Sequence, residues 1–144
     1  MSISSSTTST STPKMVKELM KRRKFTTFTG YEYTSSQENF ENLHRNVIFA
    51  DGAPDEPYSR LISRNPENLW RWMDSLRDKG MDSIAIPHNS NGSDGFMFSN
   101  QTYDGNEITQ AYTDLRLRTE PIVEITQVKG TSETHPRLSP RAAF

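Results

Sequence analysis

The 144-residue sequence contains no cysteine. Disulfides and thiolate metal ligands are therefore excluded, and any metal site must be built from histidine and carboxylate. No run of about 18 apolar residues occurs, so no segment reads as a membrane span. The first residues lack the apolar stretch of a signal peptide. Charge of one sign is lacking too: 17 basic and 18 acidic residues leave a net charge of −1. A polyanion partner such as nucleic acid is disfavoured, because phosphate binding needs a concentrated positive field. Hydrophobic residues make up 32% of the chain, below the ~45–50% of a typical soluble domain, a figure that also counts glycine. The expected core is thin.

Residues 1–13 are almost entirely Ser and Thr and read as a disordered leader with nothing to bury. Residues 14–144 read as one incomplete domain. Pro13 to Lys24 has helical spacing, with Met15, Val16, Leu19 and Met20 on one face and a basic cluster, Lys17 to Lys24, on the rest. A solvated helix face explains that cluster better than a nucleic-acid surface does.

Phe25–Thr34 is aromatic and β-branched and reads as a strand, with Gly30 marking a close backbone approach or a bend. Arg45–Ala50 is a second strand. Asn65–Lys79 is the clearest helix: Asn65 is an N-cap, Pro66 the first helical residue and Gly80 the stop. Its inward stripe is Leu69, Trp72, Met73 and Leu76, with Trp70 off-centre. Ser83–Pro87 is a short apolar strand of the kind covered on both faces. Asn89–Gly105 is a long polar loop, Glu107–Arg118 a helix with Ile108, Ala111, Tyr112 and Leu115 inward, and Pro121–Gln127 a further strand. The order strand-strand-helix-strand-helix-strand predicts an α/β fold with some parallel pairing.

Chemistry concentrates where strands begin and end. Glu32 lies near the end of the first strand, His88 follows the strand Ser83–Pro87, and His44 precedes the second strand. In α/β folds ligands bind beyond the carboxyl ends of strands. Two imidazoles and a carboxylate suit zinc, iron or manganese, although a histidine after a strand serves equally well as an ordinary hydrogen-bonded residue. Arg45, Asn89 and Lys129 are candidates to hold an oxyanion substrate, or else to cap their own loops. Ser90, Asn91 and Thr131 fit the capping role better. Glu133, the only carboxylate in the string Thr131–Pro136, and His135 are the candidates for acid–base work. Trp70, Trp72 and Tyr112 occupy helical positions and read as packing residues.

The strings FTTFTGYEYTS, NLHRNVIF, NPENLWRWMD, AIPHNSN and VEITQVKGTSETHP resemble, in order over residues 25–140, the bacterial DUF3604 family. That family is similar to the PHP (polymerase and histidinol phosphatase) superfamily of metal-dependent phosphoesterases. The resemblance implies part of a distorted (β/α) barrel of PHP type with a metal site at its rim. It implies that Glu32 is the glutamate of a Gly-x-Glu strand that bridges two metals. With His44 and His88 it would form the protein part of one metal position. A divalent zinc, manganese or iron ion would be the cofactor, and a small oxyanion ester the substrate. The His-x-His pair and the Asp-x-His of PHP sites do not occur here. The expectation is therefore a fragment of a metal-dependent hydrolase, inactive alone and prone to associate through exposed strand edges. The alternative is a non-catalytic binding module of the same fold that has lost its metal site.

Overall fold

The computed structural model describes residues 26–135 and 137. The Ser/Thr leader and the helix expected over Pro13–Lys24 lie outside the described residues.

Strands β1 (Thr29–Tyr33), β2 (Arg45–Phe49) and β3 (Ser83–Pro87) form one sheet in the order β1-β2-β3. Both pairings are antiparallel, with Tyr33 opposite Arg45 and Arg45 opposite Pro87. The expected parallel pairing is thus corrected, and the described residues form no closed barrel. The aromatic and β-branched residues of these segments favour strands, and the antiparallel ladder lets one sheet face stay open to water.

Helix α1 (Pro66–Arg77) covers the other face. It starts where the sequence says it should: Asn65 Oδ1 accepts from the Glu67 N–H, and Pro66 loses nothing at a position with no intrahelical donor to satisfy. It stops at Gly80, whose φ of +82° any Cβ would resist. Leu69, Met73 and Leu76 pack on Tyr33, Val47, Phe49 and Ala85, which alternate along the strands and so share one face. Trp72 is only partly buried against this core, whereas Trp70 is fully buried. Trp70 points to helix α2 (Gln110–Thr119), its ring 5.3 Å from that of Tyr112, and its indole N–H donates to Glu120.

Two other expectations are corrected. Strand β3 is covered on one face only: Ser83, Ala85 and Pro87 are buried, while Ile84 and Ile86 are half-exposed. The strand expected at Pro121–Gln127 shrinks to β4 (Thr126–Gln127), paired antiparallel with β5 (Gly130–Thr131). Pro121 has no N–H to give, Ile122, Val123 and Ile125 are exposed, and the backbone bonds of this stretch are scattered, from the Glu124 N–H to Pro87 O and from the Ser132 N–H to Ile125 O. Helix α2 also starts later than expected, leaving Ile108 and Ala111 exposed, with Tyr112 and Leu115 half-buried.

The open sheet face carries Ile48, Ile84 and Ile86 and, with Phe28, borders an apolar groove of about 320 Å³. No helix among the described residues is long and apolar enough to cross a membrane.

Candidate metal centre

Antiparallel pairing puts the start of β2 beside the ends of β1 and β3. His44, one residue before β2, therefore lies across from His88, one residue after β3, and the His88 N–H donates to the His44 carbonyl at 3.2 Å. Glu32 pairs with Asn46, two residues beyond His44. Side chains two apart on a strand share a face, so all three candidate ligands project from the open face.

Glu32 Oε1 stands 3.2 Å from His44 Nδ1 and 3.8 Å from His88 Nε2. The imidazole centroids are 5.8 Å apart, edge to face. One ligand atom from each residue falls within 4.8 Å of the others. Ligands about 2.1 Å from a shared ion lie roughly 3–4 Å from one another, so small side-chain rotations complete the geometry. The Thr34 hydroxyl donates to Glu32 Oε1 at 2.9 Å and orients the carboxylate. His88 is buried and its Nδ1 has no hydrogen-bond partner, while the Glu32 side chain is 45% exposed. The His88 nitrogen that faces Glu32 is Nε2, so the cluster is buried on the His88 side and open on the Glu32 side.

Burial lowers the His44 pKa from its ordinary value of 6.5, Glu32 opposes the shift, and His88, Arg45 and Arg60 reinforce it. A neutral imidazole keeps the lone pair that a metal ligand needs. The donor set thus fits zinc, manganese or iron in ligand type and spacing.

The remaining sequence candidates are placed differently. Arg45 is 1% exposed and on the core side of β2. Its Nε donates to Glu120 Oε1 at 2.7 Å and its Nη1 to the Leu43 carbonyl at 2.6 Å. Both bonds lie within the protein: the alternation of β2 turns Arg45 inward, where it is a buried ion-pair partner rather than a neighbour of the cluster. Asn89 sits beside the cluster in a left-handed conformation (φ 58°), and its Oδ1 accepts from Gln127 Nε2, which also donates to Glu124. Lys129 is exposed on the turn between β4 and β5. Glu133 and His135 are exposed and outside the three-residue cluster. Their string is nevertheless tied to the loop after His88: the Ser90 hydroxyl donates to Ser132 O and the Thr134 hydroxyl to Asn91 O. Ser90 and Thr131 bond to backbone, as capping residues do.

Sequence reasoning missed Thr34 and Glu120. Period-two spacing from Glu32 could have signalled Thr34. No local signal links Glu120 to Arg45, 75 positions away.

The sequence model of a family described as a protein of unknown function, DUF3604, matches residues 4–144. No curated protein and no solved structure matches the chain.

Proposed function

The chain belongs to the DUF3604 family, and on that premise we propose that Glu32, His44 and His88 hold a divalent metal ion of a metal-dependent, phosphoesterase-like hydrolase centre. The observation that supports this most is the convergence of the three residues from three strand ends, with ligand atoms within 4.8 Å of one another.

A bound zinc, manganese or iron ion would supply a water of lowered pKa and a Lewis acid for an oxyanion ester. The chain's own residues do the rest. Glu32, held by Thr34, brings the negative charge. His44, kept neutral by burial, and His88 bring nitrogen lone pairs. The exposed side of Glu32 leaves room for a small substrate. The likeness to the PHP superfamily belongs to the same proposal: the open face would line the interior of a distorted barrel and α1 its outside. The antiparallel β1-β2-β3 order departs from the parallel strands of a (β/α) barrel, so that part rests on the site residues alone.

The test is the metal content of the purified chain by elemental analysis, with Glu32→Ala, His44→Ala and His88→Ala beside it. Near-stoichiometric metal in the parent and its loss in each variant is the expected result, followed by metal-dependent cleavage in a panel of phosphate and sulfate esters. A metal-free parent chain indistinguishable from its variants would instead favour the non-catalytic binding module.

A further inference from the structure

Of the three ligands, His88 is the one least held by the sheet. Glu32 lies within β1 and His44 leads into the central strand β2, whereas His88 follows edge strand β3. Its N–H reaches back to His44 O, and then the chain leaves the sheet: Asn89 turns left-handed (φ 58°) and Ser90–Gly92 forms a short 3-10 turn. The β4–β5 hairpin and the residues that follow it grip this stretch from the side. The Glu124 N–H donates to Pro87 O at 3.0 Å and Gln127 Nε2 to Asn89 Oδ1 at 2.9 Å. The Ser90 hydroxyl donates to Ser132 O at 2.8 Å and the Thr134 hydroxyl to Asn91 O at 3.1 Å. His88 is thus bracketed on both sides in the chain. Gln127 Nε2 also donates to the Glu124 carboxylate, which fixes the amide that holds Asn89. A hairpin with two-residue strands is marginal by itself, so the hairpin and the His88 loop order each other.

We propose that the β4–β5 hairpin positions His88 for the ion, and that Gln127, acting through Asn89, is the positioning residue. This rests on the metal reading above. A metal site tolerates little error in ligand placement, and the outer partners that fix a ligating histidine commonly carry about 10–100-fold of metal affinity. Strand pairing places Glu32 and sets the start of β2 after His44. For His88 the backbone direction is set at Asn89, a residue type that accepts the left-handed region, and the bond from Gln127 holds that turn. The clamp gives the string VEITQVKGTSETHP a part in the site, although none of its side chains joins the three-residue cluster.

The test is titration of cobalt(II) into the metal-free full chain, since the visible absorption of this probe ion reports ligand geometry. Urea midpoints are measured on the same samples. Gln127→Ala removes the donor, and Gln127→Glu keeps its size but offers Asn89 no N–H. Asn89→Gly keeps the left-handed backbone and removes only the acceptor. The control is Thr126→Ala, exposed on the same strand. Cobalt affinity should fall about tenfold in the three single variants, with a changed absorption spectrum, and hold in Thr126→Ala. The Gln127→Ala/Asn89→Gly double variant should bind no more weakly than either single one, because both remove the same bond. Parent-like affinity and spectrum in Gln127→Ala overturn the positioning role and leave the metal centre standing. Additive losses in the double variant, or an equal loss in Thr126→Ala that follows the urea midpoint, overturn it as well. A parent chain that takes up no metal overturns the metal centre, and the positioning role with it.

Discussion

His44 and Arg45 are neighbours in the chain, yet they belong to opposite faces of the sheet, and the two faces are built on different terms. On the helix-covered face the buried charges are matched. The Glu120 carboxylate, 2% exposed, accepts from Arg45 Nε, Trp70 Nε1 and Arg116 Nε at 2.7, 2.7 and 3.2 Å. On the open face the polar groups converge without saturating one another: Glu32 is 45% exposed and stands 3.2 Å from His44 Nδ1 and 3.8 Å from His88 Nε2. A saturated network rigidifies a fold, whereas unsatisfied groups gathered at an open edge have capacity left for a ligand. The contrast separates residues that hold this protein together from residues free to act.

Cutting the saturated network should have the largest effect. Glu120→Ala leaves the Arg45 guanidinium buried and uncompensated, which costs about 3–5 kcal/mol. Urea unfolding followed by circular dichroism should show a lower midpoint at unchanged slope. A loss below about 1 kcal/mol, the range of an exposed ion pair, would erase the difference between the faces.

The apolar residues should divide the same way. Leu69→Ala opens a cavity beneath the sheet and should cost about 2–5 kcal/mol. Ile84→Ala removes a half-exposed side chain from the open face and should cost only about 1 kcal/mol. Equal losses in the same unfolding assay would mean that another part of the chain covers the open face in solution.

The smallest expected effect is a pH dependence in the metal-free protein. Folding lowers the His44 pKa below its ordinary 6.5. Between the two values the unfolded chain carries more protons than the folded one, so stability rises with pH through that window and falls as pH drops beneath 6.5. Unfolding midpoints across about pH 5 to 8, where imidazole titrates, should show this slope in the parent chain and a flatter one in His44→Gln. The same proton competes with a metal, so metal affinity should weaken in the same direction.

Much of the local structure was legible beforehand because it depends on neighbours in sequence. Asn65-Pro66 at one end and Gly80 at the other bracket α1 by capping and φ preference alone, and Ser83–Pro87 is the observed strand β3. Glu32, His44 and His88 were legible as a candidate set because they flank strand ends. Antiparallel pairing was not legible, since helices alternating with short strands suggest parallel crossovers. The β4–β5 hairpin was hidden inside PIVEITQVKGT, where apolar residues suggest a longer strand than the hydrogen bonds support. The burial of Arg45 was not legible because its partner, Glu120, comes from α2's C-terminal end.

The sequence by itself determined which segments could be strands and helices, where α1 starts and stops, and which three side chains form the candidate ligand set. These follow from short-range terms: propensity, capping and period-two alternation. Only the tertiary structure decided that β1 and β3 flank β2 antiparallel, which brings residues 32, 44 and 88 to one edge. It alone decided that Arg45 serves the core while His44 serves the open face, because burial and partner choice depend on contacts between residues far apart in the chain, whose free energies no local pattern encodes.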